Sequence, residues 1–268
     1  MGTPNMDEYF AGTRLYGDDF GPEEIAAWYA DEKEGYATLG HQNRASYLYQ
    51  CHALNRLHGF GFLAGRRFRN ALGFGGAFGD EFLPIVRQVD RITILDPCDA
   101  FQTDSVGGVP CQCLRPSVDG MMPFPDESFD LITCLGVLHH IANVTTVVKE
   151  LRRCLSPGGS LLLREPIVSM GDWTKPRRTA TKRERGIPLP ILCRMIKEAD
   201  FRVVSQRLCV FPPLARIWRH FGASAYNSGL ATRIDGKLCR LFRSRVRYHA
   251  TRLSHKIRPA AVYFVLTK

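Results

Sequence analysis

Residues 71–79 read Ala71-Leu-Gly-Phe-Gly-Gly-Ala-Phe-Gly79, and the rest of the chain is read outward from them. The stretch FRNALGF (68–74) that runs into them is a short strand candidate closed by glycines, and a helix candidate follows at 78–88. Gly73, Gly75 and Gly76 therefore fall in a strand-to-helix turn, where backbone without side chains can bend tightly and lie against a bulky ligand. Asp96 stands 21 residues after Gly75, at the end of the strand candidate RITIL (91–95). A carboxylate at that place accepts hydrogen bonds from ribose hydroxyls.

Beyond this turn the chain alternates strand and helix candidates. FDLITCLGVL (129–138) is a nearly continuous apolar run, as a strand covered on both faces requires. Asn143 is placed to cap a helix on which Val144, Val147, Val148, Leu151 and Leu155 recur on one face. SPGG (156–159) ends that helix, and GSLLLREP (159–166) is the next strand. Pro188 opens a helix to about residue 199; FRVVSQRLCVF (201–211) and AVYFVL (261–266) are the last strands. The alternation predicts an α/β fold with a largely parallel sheet and helices on both faces. Residues 7–65 read as a helical preamble, with Pro22, Glu23 and Glu24 in a first helical turn and a second helical stretch at NRASYLYQCHALNRLHGF. The expected organisation is a helical cap over 1–66 and a main domain over 67–268, with 212–260 as a basic helical insertion before the last strand.

Composition fits one large domain with a substantial core: 268 residues, 45% hydrophobic and 23% charged. No apolar run approaches the ~20 residues that span a bilayer. The opening MGTPNMDEYFAGTRLYGDDF is acidic and lacks the basic-then-apolar order of a secretory signal. A cytoplasmic location, with peripheral contact at a membrane, is the expectation. Nine scattered cysteines, of which only Cys111 and Cys113 are close, read as reduced thiols packed as small apolar groups, and no metal site is expected.

Glycine turn and acid alone do not separate a nicotinamide oxidoreductase from a methyltransferase. The segment that follows does. MMPFPDESFDLITCLGVLHHI and ELRRCLSPGGSLLLREP resemble, in order and spacing, the middle of the class I S-adenosylmethionine-dependent methyltransferase family, especially its ubiquinone/menaquinone-biosynthesis-like branch. The resemblance covers residues 70–166. It implies a Rossmann-like seven-stranded sheet ending in an antiparallel hairpin, and S-adenosyl-L-methionine as cofactor. Carried over residue by residue, it brings Gly73, Phe74 and Gly75 to the methionine part of the donor, Asp96 to the ribose and Pro97 to the adenine. Asp119, Gly120 and Met121 would also contact the adenine, and Leu135 and Gly136 the methionine. One departure is Ala71, where the family usually carries an acid.

Methyl transfer to a hydroxyl needs a group that takes the proton. His139 and His140 follow a central strand at the carboxyl edge, where open α/β sheets bind ligands, and Glu165 ends the next strand. These three are the catalytic candidates; packing roles are the alternative for each. Charge is uneven along the chain. Residues 216–258 hold eleven Lys/Arg against the single acid Asp235, which equals the whole chain's net charge of +10. KPRRTATKRERG (175–186) is a second basic run, read either as a solvated loop or as recognition of an anion. In 212–260, Leu238, Leu241, Phe242, Val246 and Leu253 fall loosely on one helical side, suited to an anionic membrane surface. Trp173 is placed either to stack on a flat acceptor or to pack within its loop. Together these suggest O-methylation of a saccharide, a lipid-linked or phosphorylated saccharide, or another small metabolite. A nucleic-acid methyltransferase and a non-catalytic binding module are the rivals.

Overall fold

The computed structural model describes residues 6–38, 43–175, 177, 181–222 and 224–268. Eight strands form one sheet: β1 (Ala71–Phe74), β2 (Ile92–Leu95), β3 (Ser105–Val106), β4 (Val109–Leu114), β5 (Phe129–Leu135), β6 (Leu155–Pro166), β7 (Arg202–Cys209) and β8 (Ala261–Thr267). Their order is β3-β4-β2-β1-β5-β6-β8-β7. β4, β2, β1, β5 and β6 run parallel, while β8 pairs antiparallel with both β6 and β7. The expected seven strands become eight because the two-residue β3 folds antiparallel onto β4. β4 itself had no sequence signal beyond Cys111 and Cys113. Residues two apart on a strand share a face, and both cysteines pack against the core around Ile92 and Ile94.

Register places the site. Phe74 pairs with Leu95 on one side and Cys134 on the other, so Gly75, Asp96 and the residues after β5 leave the sheet at one edge. The chain winds outward in opposite directions from β1, which opens a crevice at the carboxyl ends of the strands. Alternate residues of the central strands feed two cores. Leu72, Ile132 and Leu163 face α4 (Val144–Cys154) and α5 (Leu189–Glu198), whereas Ile92, Leu131 and Leu162 face α3 (His52–His58) and the segment 80–88.

Three helical expectations need correction. The segment Asp80–Gln88 is a 3-10 helix, consistent with Pro84 inside it denying a backbone donor to an α-helix. The stretch 43–60 forms only the short α3, not a long helix. In the insertion, α6 (Pro212–Trp218) and α7 (Gly229–Leu241) replace the single apolar stripe: α7 ends at Leu241, and Leu241 and Leu253 are exposed. What α7 buries instead is Ala231, Thr232, Asp235 and Cys239. Asp235 accepts the backbone N–H groups of Val210 (3.0 Å) and Phe211 (2.7 Å), so the one acid of the basic segment points inward.

Helices α1 (Met6–Ala11) and α2 (Pro22–Thr38) lie over the open edge of the sheet. Trp28 of α2 is buried and donates its Nε1–H to the His140 carbonyl at 2.7 Å. Among the described residues no helix is long and apolar enough to cross a membrane.

Candidate active site

A cavity of about 350 Å³ opens where β1, β2 and β5 end. One wall carries Phe74, Gly75, Asp96 and Pro97, with Gly120, Met121 and Met122 beside them. Gly75 has φ +68°, and a Cβ there would come within 2.6 Å of the Val137 methyls. Only glycine keeps the turn and the space together. Asp96 accepts from the backbone N–H of Ala77 (3.1 Å) and of Cys98 (2.9 Å), which fixes its carboxylate at the cavity mouth. Burial pushes its carboxyl above the ordinary range, against the pull of those two bonds.

The expected donor fits this wall. Each Asp96 oxygen takes one backbone bond and retains acceptor capacity for a ribose hydroxyl. Leu95, Pro97, Met121, Met122 and Val147 supply apolar contact for a flat base. The side-chain-free Gly75 leaves room at the strand end.

Not every residue expected in the donor site reaches it. Gly73 lies beneath the loop: a Cβ there would meet Ile94 at 2.7 Å and Glu81 at 3.1 Å. Asp119 is exposed and ties its own turn, accepting from the Met121 N–H at 3.0 Å. Leu135 and Gly136 sit behind Val137, with the Leu135 carbonyl accepting from Arg164 at 3.1 Å and the Gly136 N–H donating to the Arg164 carbonyl. None of these four lines the cavity. Sequence reading also missed Glu81. It is buried under the glycine loop, against Thr133 Oγ1 (3.2 Å), and burial lifts its carboxyl to about 8. A carboxyl absent at Ala71 is thus supplied to the same region from another element. An acidic pair opening the apolar run DEFLPIV (80–86) was its only signal.

The opposite wall belongs to α2 and the turn after β5. Ile25, Trp28, Tyr29 and Glu32 line it at helical spacing, joined by Lys33, Tyr47 and His140. That i, i+3, i+4, i+7 stripe ending in a glutamate was a legible signal that the sequence analysis did not use. His140 Nδ1 lies 2.8 Å from Glu32 Oε2. Glu32 also accepts from Thr181 Oγ1 (2.7 Å) and the Arg183 N–H (3.1 Å). Burial, then neighbouring His139, lowers the His140 pKa; the Glu32 contact opposes them. The imidazole is therefore neutral near pH 7, with a lone pair to accept a proton.

Of the three catalytic candidates, only His140 lines the cavity. Glu165 is fully buried and accepts from the N–H groups of Val137 (2.8 Å), Leu138 (2.8 Å) and His139 (3.3 Å), and contacts His139 Nδ1 at 2.8 Å. Burial raises it to about 7 despite those donors. It holds the Leu138–His140 turn from behind. His139 is held between Glu165 and Glu184 (3.6 Å at Nε2), and burial with nearby Arg185 drives it down to about 3. His139, His140 and Glu184 each bring one ligand atom within 4.8 Å of the others. Among the described residues, this is a set spaced to hold a cation, where the sequence pointed to none.

The basic run 175–186 closes this wall from outside; Pro176, Arg178, Thr179 and Ala180 lie outside the described residues. Arg185 is fully buried and donates to the carbonyls of Tyr16, Leu138, His139, Ile141 and Ala142. Lys182 and Arg183 pair with Asp31 of α2 at 3.0 and 2.6 Å. Trp173 stacks on Phe10 with ring centroids 4.3 Å apart and is only 7% exposed. It is a packed loop residue, not a platform in the cavity.

A family model described as a methyltransferase domain matches residues 72–163. The tRNA U34 carboxymethyltransferase of Nautilia profundicola is 45% identical over 51 residues, 19% of this chain and 17% of that protein. That of Campylobacter curvus is 30% identical over 94 residues, 32% of each chain. The chain thus spans less than a third of the length of these curated relatives. Among solved structures, an S-adenosylmethionine-dependent methyltransferase from Leishmania major superposes with a TM-score of 0.54 at 16% identity, over 74% of this chain and 81% of that one. A protein named the [4+2]-cyclase SpnF superposes with a TM-score of 0.52 at 15% identity, over 91% and 93% of the two chains. At such identities the likeness concerns the fold.

Proposed function

We propose, for a chain that belongs to the class I S-adenosylmethionine-dependent methyltransferase family, that it methylates a hydroxyl of a small acceptor seated between α2 and the turn after β5. The observation that carries this reading is one cavity with two unlike walls: Gly75 and Asp96 on one side, the His140–Glu32 pair on the other. When bound, the donor supplies a sulfonium methyl that is already electrophilic. The protein's share is alignment and proton handling. Asp96 and the Gly75 turn hold the donor. Trp28, Ile25 and Tyr29 exclude water from the acceptor side. An acceptor hydroxyl taking that methyl would give up its proton to the His140 imidazole. Glu32 fixes the ring and stabilises the charge it gains.

A small hydroxylated metabolite or sugar suits the acceptor wall, where Tyr29, Glu32, Lys33 and His140 are polar points on an apolar surface. Trp173 and the side chains of Lys182 and Arg183 do not contribute to this reading, because they are engaged elsewhere. The +10 segment favours a nucleic-acid acceptor as a second reading, and two matched relatives are named for tRNA. It predicts RNA binding that weakens steeply with salt. The occurrence of a protein named a cyclase on the same fold makes methyl transfer itself a thing to measure.

The test is calorimetric titration with S-adenosylmethionine and S-adenosylhomocysteine, followed by transfer of labelled methyl to a panel of hydroxylated acceptors. Asp96→Ala should abolish donor binding. His140→Asn should leave donor binding intact and lower turnover ~100-fold or more. Wild-type protein that binds neither donor nor product refutes the reading. Turnover unaffected in His140→Asn removes the assigned base.

A further inference from the structure

A second hollow of about 630 Å³ lies away from the cavity, between α3, the edge strand β7 and α7, and shares no lining residue with it. Five cations line it: Arg207 of β7, Arg233, Lys237 and Arg240 of α7, and Arg243 just beyond. No acid does. None of the five makes an ion pair or a side-chain hydrogen bond among the described residues.

Their placement has a cost that folding does not explain. Arg233, Lys237 and Arg240 stand at i, i+4 and i+7 on one helical face, where like charges repel. The acid that would relieve them, Asp235, is turned into the protein and held by two backbone donors and Tyr226. The floor between the cations is apolar, from Leu57, Leu208, Leu230 and Ile234. Leu230 is 63% exposed although it is a large aliphatic side chain. His58 completes the floor: it is 8% exposed, and neither ring nitrogen has a hydrogen-bond partner. Its Cε1 lies 3.9 Å from where a Cβ on Gly236 would stand. Unpaired buried polar atoms, uncompensated cations and an apolar floor thus coincide in one concave place.

We infer that this groove binds the phosphate of an anionic amphiphile, with the Arg/Lys rim taking the phosphate oxygens and the Leu57–Leu230 floor taking the adjoining apolar chain. Guanidinium groups pair with phosphate through parallel N–H bonds, and several around one anion add specificity. A nucleic-acid backbone would also meet the charge. It does not use the apolar floor, and among the described residues no Phe, Tyr or Trp lines the groove to stack a base.

The experiment uses the full chain and four probes: dihexanoyl phosphatidic acid as a monomeric amphiphile, inorganic pyrophosphate, vesicles of phosphatidylcholine with or without phosphatidylglycerol, and a single-stranded RNA. The comparison variant is Arg233→Gln/Lys237→Gln/Arg240→Gln, and a second is Leu230→Gln. Donor titration serves as the folding control, because none of these residues lines the donor cavity. Expected is phosphatidic acid binding that weakens on the order of a hundredfold in the triple variant and measurably in Leu230→Gln. Binding to phosphatidylglycerol vesicles in addition assigns the source to a bilayer; binding of the monomer alone assigns it to a free amphiphile. Three results overturn the inference. They are pyrophosphate bound as tightly as phosphatidic acid, RNA as the only probe that responds to the triple variant, and phosphatidic acid binding equal in wild type and variants.

Discussion

Between residues 175 and 185 every described cation has a partner within the protein; between Arg233 and Arg243 none does among the described residues. Lys175 pairs with Asp172, Lys182 and Arg183 with Asp31, Arg177 donates to the Met170 and Thr181 carbonyls, and Arg185 is buried among five more carbonyls. Along α7 the reverse holds: its acid is buried and its cations have no partner among the described residues. In sequence both stretches are simply basic. The difference lies in which groups the fold brings to them, and this separates a charge that builds the active-site wall from one available to a ligand.

The sharpest way to break the comparison is Arg185→Met. The substitution keeps apolar volume but removes the guanidinium bonds to five carbonyls, those of Tyr16, Leu138, His139, Ile141 and Ala142. A loss of about 3 kcal/mol or more is expected by denaturant unfolding, because several buried carbonyls lose a charged donor at about 1–3 kcal/mol each. A variant as stable as wild type would mean that Arg185 is a surface cation after all. Asp235→Asn comes next. One amide oxygen cannot replace two carboxylate oxygens toward Val210 and Phe211, so about 1–3 kcal/mol should be lost, read from the same unfolding curves.

How legible the two walls were follows from distance along the chain. The donor wall is local. Gly75 and Asp96 each end a strand, and the strand periodicity around them fixes their place at the sheet edge. The proposed acceptor wall joins Glu32 to His140 and Thr181, partners 108 and 149 residues away. No spacing rule reaches across such a gap. The stripe Ile25, Trp28, Tyr29, Glu32 showed that α2 had a face to bury, but not on what. Glu165 shows a second limit. Its position at a strand end was readable, whereas the turn its oxygens would hold was not, because orientation depends on three N–H groups of another loop. β4 was missed for a physical reason as well: a half-buried strand with Gln112 between two cysteines lacks the apolar contrast that marks β5. In the insertion, apolar spacing suggested a stripe from Leu238 to Leu253, but polar Asp235 decided which face of α7 turned inward.

Asp31→Asn sharpens the comparison on the inward side. Burial works to raise the Asp31 carboxyl, yet hydrogen bonds from Arg183 and Lys182 outweigh it and hold the group below its ordinary range. A folded-state value below the unfolded one stabilises above the ordinary aspartate range, near pH 4, and that contribution disappears as the pH falls through the lowered value. Wild type should therefore exceed Asp31→Asn by about 0.5 kcal/mol at neutral pH, and the two should converge under acid. A gap that persists in acid would trace to packing and not to the ion pairs.

The smallest effect, and the one of opposite sign, belongs to Arg233→Gln/Lys237→Gln/Arg240→Gln. Neutralising three cations in the run 175–185 would remove bonds; on α7 it removes only repulsion between neighbours on one helical face. Melting should stay level or rise, by a few tenths of a kcal/mol per like-charge pair relieved, and the gain should shrink as salt screens the wild type. A fall in melting temperature would show that these side chains hold the helix in place through contacts made along their stems. The two basic stretches would then differ in degree and not in kind, each holding part of the fold in place.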